Sequence, residues 1–189
     1  ASGRGAHLDV PMLGATLGIA ALQTSEYFGS GRDPVRLGSA HPRNAPYRVF
    51  RSRDGYFGMA AGNNALWRGV CDVPARADLL DDERFATPST RARHQDALLV
   101  ILEQEFARAD TATWLDRFRA AGVPCAPINT YSQVLADPQV EHMQWVQPLE
   151  LPNGVRTRTF ASPMRFSGEG LPVRLRPPAL GEHNDEVWL

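Results

Sequence analysis

The sequence predicts an α+β fold, and three observations carry that expectation. Residues 47–50 and 56–60 are short stretches rich in aromatic and β-branched residues, joined through Asp54-Gly55, a dipeptide suited to a hairpin turn. Leu98, Ile101, Leu102, Glu105 and Phe106 recur at spacings of three and four, which marks a helix with a mostly apolar stripe. Trp114, Leu115, Phe118 and Ala121 do the same on a second helix that Gly122 ends. Helices beside short antiparallel strands place the folded centre at residues 47–166.

The elements follow in order. Residues 7–10 read as a short strand or the end of one. Pro11 suits the first turn of a helix over residues 12–28, with Leu13, Leu17, Ala20 and Ala21 on one face. Residues 29–46 hold three glycines and three prolines without a period, so they form a loop. After the hairpin, Gly62-Asn63-Asn64 turns the chain into a helix over 65–73, with Asn64 as its cap. Residues 78–89 form an acidic, irregular link, and Pro88 opens the helix that runs to about residue 108. Thr111 caps the Trp114 helix, and Pro124 and Pro127 hold residues 123–128 extended. Thr130 and Gln133 make a capping box for a short helix, and Asp137-Pro138 starts another. Residues 145–151 and 155–160 read as a hairpin about Pro152-Asn153-Gly154, and residues 164–166 add a strand. From Gly168 the chain is a proline-rich arm, helical over 182–189.

Composition removes several kinds of chemistry. The formal net charge is -1, so there is no basic field to gather nucleic acid. All 20 basic residues are arginine, which excludes a Schiff-base lysine, a pyridoxal phosphate anchor and a phosphate-loop lysine within this chain. The longest strongly apolar run, residues 98–102, is far short of the about 20 residues that span a bilayer. Cys71 and Cys125 make no metal motif and read as free thiols, which points to a reducing, cytoplasmic setting. No two of His7, His41, His94, His142 and His183 are three or four apart, so no helix carries a paired metal face. No Gly-x-Ser-x-Gly elbow is present, and neither Gly3-Arg4-Gly5 nor Gly29-Ser30-Gly31 continues as a dinucleotide fingerprint. Asp81-Asp82-Glu83 reads as a solvated charged link.

The stretch Gly38-Ser39-Ala40-His41-Pro42-Arg43-Asn44-Ala45-Pro46-Tyr47 combines small residues, hydrogen-bonding groups and a histidine on one loop. Such a loop either positions and covers a substrate or is a surface connection stiffened by its prolines.

That stretch, continued by Val49-Phe50 and Asp54-Gly55, closely resembles the class III CoA-transferases, the family of formyl-CoA transferase and the carnitine and bile-acid CoA-transferases. The resemblance goes on through Gly62-Asn63, Trp67, Asp82-x-Arg84-Phe85 and the Trp114 helix. It includes the run from Ala121-Gly122-Val123-Pro124 to Ile128-Asn129, then Asp137-Pro138-Gln139-Val140, Ser162-Pro163 and the run from Pro177-Pro178 to Val187. Residues 3–10 also resemble the family's strand and helix before this region.

The resemblance implies an architecture and a reaction. Residues 1–30 would end a large, Rossmann-like CoA-binding domain, and 31–46 would be linker and substrate loop. Residues 47–166 would be the small α+β domain, and 167–189 an arm returning to the large one. Two subunits of the family interlock as a homodimer. An aspartate carries the CoA through an aspartyl-CoA thioester, and the family places it upstream of Gly3-Arg4-Gly5, so no position here matches it. Asp9 and Asp54 align with structural parts of the pattern, and the amino terminus, without an initiator methionine, reads as a fragment taken up in mid-sequence. Acyl-CoA and a carboxylic acid would be substrates, with no resident cofactor, metal, nucleic acid or membrane partner. The carried-over site is the substrate loop, Gly38, Ser39, His41 and Asn44, with Ser39, His41 and Asn44 as contacts to the acceptor acid and Asn63 as a weaker candidate. Two alternatives stand beside this. One is an acyl-CoA racemase of the same fold, whose branch tends to carry glutamate where this chain has Arg51. The other is a non-catalytic dimerisation or interaction domain.

Overall fold

The computed structural model describes residues 3–187. The chain divides into two compact units, Ala1–Ala126 and Pro127–Leu189, a division that lies within residues 47–166.

The first unit begins with α1 (Met12–Ile19) and α2 (Ala21–Ser30), which replace the single helix expected over 12–28. The break falls at Ala20, whose ψ of 22° opens the ladder for one residue. Neither helix buries a residue, so no packed surface favours one straight rod. Residues 7–10 form no strand; a lone extended segment has no ladder to join, and they are exposed.

Strands β1 (Tyr47–Arg51) and β2 (Tyr56–Ala60) pair antiparallel, with Tyr47 opposite Ala60 and Arg51 opposite Tyr56. The Asp54-Gly55 turn closes as expected, the Ser52 N–H donating to Gly55 O at 2.9 Å. The helix α3 (Asn64–Asp72) follows, and its cap is Asn63 rather than Asn64: Asn63 Oδ1 accepts from the Leu66 N–H at 2.9 Å. In the acidic link a 3-10 turn at Ala77–Leu80 carries Leu79 inward, and Phe85 is fully buried. The helix expected from Pro88 to about residue 108 is two, α4 (Pro88–Arg93) and α5 (Gln95–Phe106), re-aimed at His94. That bend lets Arg91 and the stripe of α5 both enter the core. Next comes α6 (Thr111–Ala120), capped by Asp110 rather than Thr111. Thr111 instead ties the hairpin tip to this helix, its N–H and Oγ1 donating to Asp54 Oδ1 at 2.8 and 2.9 Å. Gly122 (φ 69°) ends α6 in the left-handed region, and β3 (Cys125–Pro127) completes a sheet of order β1-β2-β3.

The core joins one face of this sheet to α5 and α6. Phe106 lies 5.1 Å from Phe57, 5.2 Å from Trp114 and 5.7 Å from Phe118 between ring centroids. Leu98, Leu102 and Leu115 are buried beside them, while Ile101 is only partly covered. Each fully buried large apolar side chain contributes about 1.5–3 kcal/mol, so this cluster is the main apolar source of stability in the first unit.

The second unit has little core; Val140 and Ala161 are its buried apolar residues among those described. Its order is α7 (Tyr131–Val134), α8 (Pro138–His142), β4 (Val146–Glu150), β5 (Arg156–Phe160), β6 (Arg165–Phe166), β7 (Glu169–Gly170) and α9 (Asn184–Val187). The expected capping box of Thr130 and Gln133 and the β4–β5 hairpin are present. The arm is fastened within its unit by the β6–β7 pair and by the Val173 N–H donating to Gln147 Oε1 at 2.8 Å. Of the helix expected over 182–189, residues 188 and 189 lie outside the described residues.

Candidate functional site

The sheet order leaves β1 as an edge strand, with backbone groups facing away from β2. The loop before it folds back and satisfies them. Ser39 Oγ accepts from the Val49 N–H at 3.1 Å, and the His41 N–H donates to Tyr47 O at 2.9 Å. Gly38 makes the reversal possible, because its φ of 60° is strained for any residue with a side chain.

His41 organises the next turn. Its Nδ1 accepts from the Arg43 and Asn44 N–H groups, both at 3.1 Å, and its ring stacks on Tyr47 with centroids 5.1 Å apart. An acceptor Nδ1 places the proton of the neutral ring on Nε2, the nitrogen left for another partner. Asn44 packs on Gly62, where an added Cβ would lie 3.0 Å from Asn44 Cβ. Beyond it, Pro46 O accepts from the Ala61 N–H at 2.8 Å.

A residue that sequence reasoning passed over fixes this end of the loop. Arg91 is fully buried, with Nε donating to Ala45 O (2.9 Å), Nη1 to Phe85 O (2.9 Å) and Nη2 to Asn64 Oδ1 (3.0 Å). Its guanidinium also lies over Trp67, 5.3 Å from the ring centroid. Burial pulls its pKa below the ordinary value, yet oxygen acceptors on three sides compensate the charge. A signal existed in the sequence: Arg91 is seven residues before Leu98, two turns back on the single helix that the sequence predicts there.

The expected site residues do not gather at one point. Ser39 lines a groove of about 390 Å³ on the sheet face away from the core, with Tyr47, Val49, Gly58, Ala60 and Cys125. Gly38 and His41 line a different cavity of about 490 Å³, against α2, together with Glu26, Arg43 and Gln95. Asn44 and Asn63 line neither; Asn63 is engaged as the cap of α3. Arg51 ends β1, its N–H donating to Glu103 Oε1 at 2.8 Å.

No activated nucleophile stands in either cavity. The Cys71 thiol is buried and pushed up to about 12, mainly by that burial, so it stays protonated. Burial also raises the Cys125 thiol. The Asp54 carboxyl is held below the carboxylate range, first by the Thr111 N–H, and is committed to the hairpin tip. Among the described residues no group of three or more His, Cys, Asp and Glu could hold a metal, and no helix is long and apolar enough to cross a membrane. The cavity against α2 thus has the Arg43 guanidinium and the His41 ring among its lining groups.

Comparison with known proteins adds the larger setting. The model of CoA-transferase family III matches residues 1–184. The succinate–glutarate CoA-transferase of Agrobacterium fabrum is 33% identical over 98% of this chain, and the match spans 46% of that relative. The acetyl-CoA:oxalate CoA-transferase of Acetobacter aceti is 35% identical over 73% of this chain, spanning 36% of that relative. The crystal structure of a CAIB/BAIF family protein from Brucella suis superimposes with a TM-score of 0.77 at 35% identity, covering 99% of this chain and 48% of that one. The chain thus spans about half the length, or less, of the relatives it matches.

Proposed function

This chain belongs to CoA-transferase family III, and from that premise we propose that the protein it is part of moves CoA from an acyl-CoA to a free carboxylic acid. In this reading an aspartate upstream of the chain attacks the thioester carbonyl and expels CoA, leaving a mixed acyl–aspartyl anhydride. The CoA thiolate then attacks the aspartyl carbonyl and releases the first acid; the acceptor carboxylate attacks that thioester and expels CoA, which attacks the acyl carbonyl of the new anhydride and frees the aspartate. The chain's share is the small domain and the loop that receives the acceptor, in a homodimer set in the cytoplasm. The two free cysteines are in keeping with a reducing compartment.

One observation carries the loop's part. Residues 38–46 are tied to the edge of β1 and to Arg91, while His41 keeps Nε2–H for a partner. A carboxylate is the natural partner for that donor. The free acids named for the two relatives (succinate, glutarate and oxalate) are dicarboxylic, beside the acetyl-CoA that one of them also names, and we extend that class to the acceptor here.

The test is a transfer assay. The full-length protein, given succinyl-CoA and a panel of free acids, forms a new acyl-CoA with stoichiometric release of succinate. The 189-residue chain alone forms none, because no position in it matches the family's aspartate. Transfer by the chain alone, or isomerisation of a branched acyl-CoA without transfer by the full-length protein, overturns the proposal.

A further inference from the structure

The cavity of about 490 Å³ between α2 and the loop holds one arginine whose counterion is poorly held. Arg43 Nη1 meets Glu26 Oε2 at 3.5 Å, a single long contact between side chains 58% and 44% exposed. It is a loose pair like Arg48–Asp96 and Arg119–Asp116, both at 3.6 Å, unlike Arg76 on Asp78 and Arg84 on Asp82, both at 2.7 Å. A guanidinium has five N–H donors in a fork that fits a carboxylate on two parallel bonds, so Arg43 has most of its capacity in reserve.

The surroundings suit a second carboxylate. Arg43 springs from a fixed point, since its own N–H is bound to His41 Nδ1. His41 lines the same cavity with Nε2–H unclaimed. Gln95, also in the wall, adds a side-chain amide that can donate to an anion. Leu22, Val35 and Leu37 complete the wall with apolar surface for a short methylene chain.

We infer that this cavity binds the distal carboxylate of a short dicarboxylic acid, with Arg43 as the anchor that exchanges Glu26 for the ligand and His41 Nε2–H as a second donor. The inference rests on the reading of the chain as part of a CoA-transferase and adds the residue that tells a diacid from a monoacid. Glu26 then holds the guanidinium in place when the cavity is empty of ligand. A monocarboxylate of equal length lacks the group that can displace it.

Binding is measured on this chain in the absence of CoA, so its failure sinks the subsite and leaves the transfer assay to judge the reaction. The chain, isotope-labelled at arginine and histidine, is titrated with glutarate and separately with pentanoate. The Arg43 guanidinium and His41 ring signals should move with glutarate, and its affinity should exceed that of pentanoate by about tenfold. Arg43→Gln should bring that ratio close to one, Arg43→Lys should keep part of it, and Glu26→Gln should tighten glutarate by removing the internal competitor. Glutarate and pentanoate binding equally, a preference that survives Arg43→Gln, or shifts at neither residue with glutarate would each overturn the inference.

Discussion

Replacing Arg91 by methionine tests the anchor of the loop. Methionine keeps much of the stem's volume against Trp67 and removes the three donors. Ala45 O, Phe85 O and Asn64 Oδ1 then lose their partners in or near the core. A stranded buried polar group costs about 1–3 kcal/mol, which applies to Ala45 O and Phe85 O, whereas the exposed Asn64 can turn its amide to water. Against that, the variant no longer buries a charge and recovers part of its desolvation penalty. The balance is a loss of about 2–4 kcal/mol, a large share of the stability of an ordinary domain. Urea unfolding, followed by hydrogen exchange of amides in α5 and α6, reads it directly. Exchange should also speed at the Ala61 N–H, which is bound to Pro46 O next to the released Ala45. Arg93→Met, on the exposed side of α4, should change stability by less than about 0.5 kcal/mol. A loss under about 1 kcal/mol in Arg91→Met would refute the claim that this arginine holds loop and core together.

Two further outcomes follow from the protonation of buried and capped groups. Asp54 has a folded pKa below its ordinary range, so the stability it confers is complete above that range and is lost as pH falls through the folded value. Asp54→Asn should therefore flatten the fall of stability below about pH 4; a fall as steep as in the parent chain would contradict the assignment. Cys71, pushed up to about 12 by burial, should resist iodoacetamide at pH 8 in the folded chain while the half-buried Cys125 reacts, and equal rates by mass spectrometry would rule this out.

What could be read in the sequence was what neighbouring residues decide. Asp54-Gly55 closes the hairpin, Thr130 and Gln133 cap α7, and the stripes of α5 and α6 fill the core, because each depends on a few adjacent positions. The caps of α3 and α6 fell one residue from their expected places, since two adjacent polar residues compete at each. Asn64 and Thr111 lost because distant partners, Arg91 and Asp54, claim their side chains. The breaks at Ala20 and His94 are set by what the helices pack against, or fail to pack against. For the site, the loop itself was legible from its glycines and prolines. That Ser39 and His41 complete the edge of β1 was not, because it depends on which strand lies outermost. Arg91 looked like one more surface arginine in a chain that has 20.

The central claim is that the loop, through His41, receives the acceptor acid. His41→Asn in the full-length protein puts it to the test, because an amide oxygen can replace Nδ1 as the acceptor for the Arg43 and Asn44 N–H groups and so keep the turn. The Nε2–H donor is lost, together with the ring's stack on Tyr47. Steady-state kinetics with separate variation of donor and acceptor should show the acceptor KM raised by about tenfold, the donor KM unchanged and wasteful acyl-CoA hydrolysis increased. Unchanged acceptor KM and hydrolysis, or an equal rise in both KM values, would reduce residues 38–46 to a connection between elements.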